Sequence, residues 1–232
     1  SSPSRGLGDV YKRQDYARNA VRLSALMGLP NIFVYTHDSV ALGEDGPTHQ
    51  PIEHIVTLRS TPNLNNWRPA DLVETAVAWK NAVCSKITPT CLIFSRQGTS
   101  AIGRTQEQIS AIEMGGYLLK EKKDNDITIV ASGSEVQLAL DAAKELENKS
   151  INVNVVSMPS LDIFLQQSSE YQKMVIDPDK PVLVVECAHP NSWYKILNRS
   201  DKVLGIETFG ESAPGGESVS YTHLRAHETV MN

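Results

Sequence analysis

Cysteine is too scarce and too widely spaced in this sequence to build a scaffold. Cys84, Cys91 and Cys187 are odd in number and show no C-x-x-C pairing, which argues against a disulfide framework or a zinc site. They fit reduced thiols, each most simply a small core residue. Long apolar runs are also missing: none approaches the roughly 18 residues of a membrane span, and the N-terminus lacks a signal-peptide core. No membrane partner is therefore expected, and a cytoplasmic location is. Positive charge is in deficit, with 22 Lys and Arg against 27 Asp and Glu and a net charge of -5. That balance argues against broad binding to nucleic acid, while a locally basic pocket for a small anionic substrate stays allowed. There is no internal repeat and no low-complexity tract. Ser132-Gly133-Ser134 lacks the second and third glycines of a dinucleotide fingerprint.

What is present is enough apolar material, 41% of 232 residues, for one large domain or two modest ones. Ser1 to Gln14 has no periodic apolar face and is expected to be an extraneous or disordered head; Gly8 to Gln14 resembles a translated cloning or sequencing adapter. Asp15 to Met27 has helical spacing through Ala17, Ala20, Val21, Ser24 and Met27, and Gly28 and Pro30 stop it. Strands are predicted at Ile32–Tyr35 and Thr90–Phe94. Pro51 to Leu58 forms a short helix, and Arg59 to Arg68 reads as a connection. Asp71-Leu72-Val73-Glu74 reads as a capping box opening a helix with Leu72, Val73, Ala76, Val77 and Val83 on one face. After a polar, charged stretch, strands are predicted at Ile127–Ala131, Val153–Val156 and Val182–Val185, with a short edge strand in 203–207. A second capping box, Ser134 to Gln137, opens a helix carried by Val136, Leu138, Ala139, Ala142, Ala143 and Leu146. Strand and helix alternate, so the fold class is α/β, two consecutive α/β domains with mainly parallel sheets.

Function rests on the segment after the first strand, Thr36 to Pro51, which holds two histidines, several carboxylates, two glycines and two prolines. In open parallel sheets, ligands sit beyond such strand ends. Ser95-Arg96-Gln97 is the polar end of the second strand. If these strands are neighbours, His37, Asp45, His49 and Arg96 gather at one edge. An arginine fork binds phosphate through charge-assisted bonds, a carboxylate accepts from sugar hydroxyls, and a neutral histidine exchanges a proton near pH 7. Taken singly, each residue fits a plainer role: surface histidine, ion-pair partner, turn carboxylate. A metal set of His37, Asp45, His49 and His54 is weaker, because Pro51 interrupts the helix His49 and His54 would share. His223 and His227 lie four apart, but in a tail that again resembles adapter sequence. From spacing alone the reading is an α/β enzyme with an anionic substrate.

Thr36-His37-Asp38-Ser39 followed by Leu42-Gly43-Glu44-Asp45-Gly46-Pro47-Thr48-His49-Gln50-Pro51 resembles the substrate loop of transketolase. So do Asp15 to Ala20, Trp67-Arg68-Pro69, Ser95-Arg96-Gln97, Gly133 to Val136, Val156 to Ser160, Trp193-Tyr194-Lys195 and Thr208 to Pro214. The heptapeptide Gly43 to His49 alone also resembles 1-deoxyxylulose-5-phosphate synthase, but the flanking Thr-His-Asp-Ser and Gln-Pro favour transketolase.

The resemblance implies a partial pyrimidine-binding domain at 15–105, a linker at 106–125, a transketolase C-terminal domain at 126–214 and an extraneous or disordered tail at 215–232. It implies transfer of a two-carbon ketol unit from a ketose phosphate to an aldose phosphate, in the pentose phosphate pathway. The complete enzyme would be a homodimer using thiamine diphosphate and a divalent cation, magnesium or calcium, the cofactor carrying the carbanion chemistry. His37 and Arg96 would hold substrate phosphate, Asp45 the acceptor's C2 hydroxyl, and His49 the donor's ketol end, with possible proton transfer. Tyr16 would flank the aminopyrimidine ring; at Arg13, where the family places another aromatic residue, this sequence departs. The family's Gly-Asp-Gly diphosphate motif, its metal-binding asparagine and its cofactor-activating glutamate have no counterpart here, so no metal residue is assigned and the chain is expected not to turn over alone. The alternatives are the C-terminal subunit of a split transketolase and a noncatalytic dimerisation or regulatory module of the same fold.

Overall fold

The structure, a computed structural model, describes residues 6–10, 14–199 and 201–212, with side chains from residue 15 onward. The first sheet contains β1 (Gly6–Val10), β2 (Ile32–Asp38), β3 (Asn65–Trp67) and β4 (Thr90–Ser95), ordered β1-β2-β4-β3 with every pair parallel. Gly6–Val10 falls in the segment expected as a head; it lies beside β2 with Gly6 opposite Ile32 and Val10 opposite Thr36. Gln14 opens α1, while the other residues of that head, Arg13 included, and the tail with His223 and His227 lie outside the described residues.

Helices α1 (Gln14–Met27), α2 (His54–Arg59) and α3 (Leu72–Cys84) connect these strands. Helix α1 turns Val21, Ser24 and Ala25 inward and leaves Leu23, Leu26 and Met27 exposed, so Met27 and Ala20 are not on the buried stripe that their spacing suggested. Helix α3 departs further from expectation. Its buried residues are Glu74, Ala78 and Ala82, while Leu72 and Val83 face outward. The reason is Glu74, whose carboxylate is needed inside. Asp71 does cap the helix, accepting from Glu74 N, but the Glu74 side chain accepts from Ala70 N at 2.7 Å rather than closing the box on Asp71. Cys91 and Cys187 are buried as expected of small core residues, whereas Cys84 is exposed at the end of α3.

Residues 106–125, expected as a linker, contain α4 (Gln106–Ala111), a 3-10 turn at Ile112–Met114 and β5 (Tyr117–Lys120). Strand β5 is the antiparallel edge of a second sheet with β6 (Ile127–Ala131), β7 (Val153–Ser157), β8 (Val182–Val185) and β9 (Lys202–Leu204). Its order is β5-β7-β6-β8-β9, and all other pairs are parallel. The apolar runs of β6, β7 and β8 are covered by α5 (Glu135–Glu147), α6 (Leu161–Phe164) and α7 (Ser169–Val175), as a parallel sheet buried on both faces requires. In α5, Val136, Ala139 and Ala143 are buried and Leu138 is half exposed. Ser134 makes no side-chain cap; its Oγ donates to Glu135 Oε1 instead, because Glu135 is drawn towards an arginine of the first sheet's domain. Among the described residues no helix is long and apolar enough to cross a membrane.

Candidate functional site

Strands β2 and β4 are direct parallel neighbours, with Asp38 opposite Ser95, so His37 and Arg96 stand at the same carboxyl edge of the first sheet. The register slips between Tyr35 and Asp38: three steps on β2 face two on β4, a bulge that sets Thr36 and His37 against the single residue Phe94. Bulges re-aim side chains, often beside functional sites. Here the backbone is forced as well. His37 has φ 69° and Ser39 has φ 70° with ψ 172°, the latter in a region that is nearly glycine's alone. Each such residue costs on the order of 1–3 kcal/mol and persists where its surroundings impose it.

After the bulge the chain makes a 3-10 turn at Val40–Leu42, capped by Ser39 Oγ accepting from Ala41 N at 3.2 Å. Gly43 and Gly46 take φ 74° and 75°, which only glycine adopts easily. Gly46 N donates to Gly43 O, and His49 N to Gly46 O, each at 3.0 Å. Gln50, nearly inaccessible, braces the loop from beneath by donating to Val40 O, Gly43 O and Glu211 O, all at 3.2 Å. Ser212 Oγ donates to Glu44 O, and Gln97 Nε2 to Ala41 O. The second domain and the end of β4 thus both hold the loop.

Upon this frame Asp45 and Arg96 are exposed, and His37 and His49 are partly buried. Each histidine follows a threonine whose Oγ1 lies 2.8 Å from its Nδ1, Thr36 for His37 and Thr48 for His49. With Nδ1 of His37 occupied by Thr36, a ligand is met through Nε2. Tyr16 projects from α1 with 88% of its surface exposed. His54 lies elsewhere, at the start of α2, with Nε2 3.7 Å from Asp15. Among the described residues no group of three or more His, Cys, Asp or Glu side chains is arranged to hold a metal ion. Two clefts of about 660 Å³, between α1 and α2, and about 310 Å³, beside β3 and α6, are lined by none of the loop residues.

Beneath the loop lies a buried, charged seam between the two sheets' domains. Arg68, following β3, donates from Nε to Asp38 Oδ2 at 2.6 Å. Its Nη1 donates to Ser132 O at 2.6 Å, to Ser132 Oγ at 3.0 Å and to Glu135 Oε2. Its backbone is gripped too: Arg68 N donates to Pro159 O, and Gly133 N donates to Arg68 O. Gly133 has φ 56°, and a Cβ there would sit 2.7 Å from Arg68 Nη1. Further along, Arg59 makes a bidentate pair with Glu186 at 2.8 Å for both bonds, and Trp193 Nε1 donates to the same carboxylate at 2.7 Å. Burial alone would raise Glu186; the Arg59 charge and the donors around it hold it down at about 2. Burial dominates at Asp38 and pushes its carboxyl up despite Arg68. At the far end Glu74 accepts from Tyr117 at 2.7 Å and Ser157 at 2.6 Å, and Arg104 bridges Asp71, Glu74 and Tyr117.

Sequence reading named Arg68 and Asp38 only as letters of longer motifs. Their signal was an arginine between Trp67 and Pro69-Ala70, all buried: a charge in such a setting needs a partner.

Comparisons with known proteins agree across the chain. Residues 10–100 match the family model described as transketolase, pyrimidine binding domain, and residues 115–225 the one described as transketolase-like TK C-terminal domain. Transketolase 2 of Vibrio parahaemolyticus is 49% identical over 205 residues, covering 88% of this chain and 31% of that protein; the chain spans about a third of the length of the curated relatives it matches. A crystal structure of Pichia stipitis transketolase in complex with sedoheptulose-7-phosphate superposes with a TM-score of 0.87 at 41% identity, covering 97% of this chain and 34% of the other. A split-gene transketolase described as an inactive β4 tetramer shares the fold, with a TM-score of 0.77 at 24% identity, over 97% of this chain and 74% of that one.

Proposed function

Because the chain belongs to the transketolase family, we propose that it supplies the sugar-phosphate recognition part of an enzyme that moves a two-carbon ketol unit from a ketose phosphate to an aldose phosphate in the pentose phosphate pathway. The observation that carries this reading is the shared carboxyl edge of β2 and β4, where His37 and Arg96 end neighbouring strands. Arg96 and His37 bind the phosphate, Arg96 through its planar fork and His37 through Nε2, with Nδ1 engaged by Thr36. Asp45, exposed at the loop tip, accepts from the acceptor's C2 hydroxyl. His49, with Nδ1 engaged by Thr48, presents Nε2 to the donor's ketol end, where it can hold or pass a proton.

Thiamine diphosphate, when bound, supplies the carbanion chemistry that cleaves the donor. Exposed Tyr16 fits one face of its aminopyrimidine ring. The diphosphate and its divalent cation are held by a part of the enzyme with which this chain associates, in line with the lack of a matching Gly-Asp-Gly motif in this sequence. Alone, the chain recognises substrate without turning it over. The complete enzyme is a homodimer, a reading supported by the uncovered Leu23, Leu26 and Met27 on α1. Cys84, Cys91 and Cys187 form no disulfide, which fits a cytoplasmic setting. A second reading, the C-terminal subunit of a split transketolase, is favoured by the 74% share of the split-gene chain that this fold covers.

Calorimetric titration tests the recognition role. Ribose 5-phosphate is expected to bind the chain at least tenfold more tightly than ribose, and Arg96→Ala to abolish most of that preference, since a charge-assisted bond contributes about 1.5–3 kcal/mol. Equal affinity for the two sugars would overturn the phosphate assignment. Ketol transfer by the chain alone with thiamine diphosphate and magnesium would overturn the division of labour; transfer restored by a separate diphosphate-domain chain would support the split-subunit reading.

A further inference from the structure

We propose that Arg68 is a positioning residue for the substrate loop, gripping Asp38 so that the second domain holds the bulge that aims His37. The inference deepens the recognition role and rests on it for the identity of the ligand, though not for the geometry.

Asp38 lies between the two most strained residues of the segment, His37 at φ 69° and Ser39 at φ 70°. It is the point where the slipped register resumes, opposite Ser95. Its buried carboxylate takes the Arg68 Nε bond at 2.6 Å. Arg68 is itself immobilised by the second domain, through Ser132 and Glu135 on its side chain and through Pro159 and Gly133 on its backbone. A bulge with two positive-φ residues relaxes unless its surroundings impose it, and the Arg68 bond restrains the residue that lies between them. Moving Asp38 turns the peptide that carries the His37 imidazole. The docking of one domain on the other is thereby transmitted to a side chain that meets the substrate.

The test separates this role from general loosening of the seam. Arg68→Lys keeps the charge but loses the fork, Asp38→Asn keeps shape and volume, and Arg104→Lys weakens the seam far from the bulge. In isotopically labelled chains, a residue with positive φ gives a strong amide-to-α-proton cross-peak within itself. That cross-peak is expected at His37 and Ser39 in the parent chain and in Arg104→Lys, and is expected to weaken in Arg68→Lys and Asp38→Asn. Affinity for ribose 5-phosphate is expected to fall at least tenfold in the latter two and to change less than twofold in Arg104→Lys. Folded Arg68→Lys and Asp38→Asn chains that keep both cross-peaks would overturn the proposal. So would an equal loss in Arg104→Lys. A parent chain blind to ribose 5-phosphate, with the cross-peaks still dependent on Arg68, would remove the substrate reading and leave the positioning role standing. Should Arg68→Lys fail to fold, the near-isosteric Asp38→Asn decides the outcome by the same cross-peaks.

Discussion

The loop at 37–49 and the seam beneath it both carry charge, and they use it in opposite ways. At this edge Asp45 in the loop and Arg96 after β4 are exposed, so their attraction to anything in the chain is screened and contributes little to stability. In the seam, Arg59, Arg68, Glu135 and Glu186 are buried and bonded to one another or to backbone. Taking such groups from water costs several kcal/mol apiece, recovered when every partner is present. The exposed charges are left available to a ligand; the buried ones are committed to holding two domains in one arrangement. Polar residues at a sheet edge therefore divide into those that recognise and those that hold.

The contrast is broken most sharply at Glu186. Glu186→Ala leaves Arg59 buried without its partner and removes an acceptor from Trp193 and Ser132, and is expected to lower unfolding stability by about 3–5 kcal/mol, read from the urea midpoint. Acid probes the same carboxylate less drastically. Its folded-state value of about 2 lies below the ordinary 4.5, so the unfolded chain takes up the proton first. That stabilisation, about 3 kcal/mol, is present above pH 4.5 and is lost as pH falls towards 2. Asp38, shifted upward by burial, works in the other direction and softens the net decline. Urea midpoints between pH 5 and pH 2.5 measure the balance, and Glu186→Gln is expected to flatten it. The smallest effect belongs to the exposed charges: Asp45→Ala and Arg96→Ala are expected to change stability by less than about 0.5 kcal/mol in the same assay. A loss of several kcal/mol from either would erase the distinction between the two regions.

How much of this was legible beforehand follows the same division. Ile127–Ala131, apolar but for Thr128 and set between Asp126 and Ser132, and the apolar run Val182–Val185, set between Pro181 and Glu186, form strands with those bounds. Strand β3 is Asn65-Asn66-Trp67, too short and polar to show a period, and it pairs because β4 offers an open edge. Helix α3 misled because its apolar residues were counted as the core face, whereas Glu74 had to face inward to meet Tyr117, Ser157 and Arg104. The loop was readable as a polar end to an apolar strand. The seam was not, since its partners are remote in the chain: Arg59 and Glu186 are 127 residues apart, and no local spacing relates them. Ser134 carried a local signal that pointed elsewhere, to a helix cap with Gln137, and its hydroxyl went instead to Glu135, which Arg68 holds.

Gly133 shows what that remoteness means for descent. The backbone there is left-handed, and the space a side chain would take is filled by the Arg68 guanidinium. Mutational drift at position 133 is thus closed by a residue encoded far upstream, and a lineage that exchanged Arg68 for a smaller side chain would lift the steric bar while leaving the conformational one. Ser132-Gly133-Ser134, which looks like the start of a phosphate-binding loop, is a berth for an arginine.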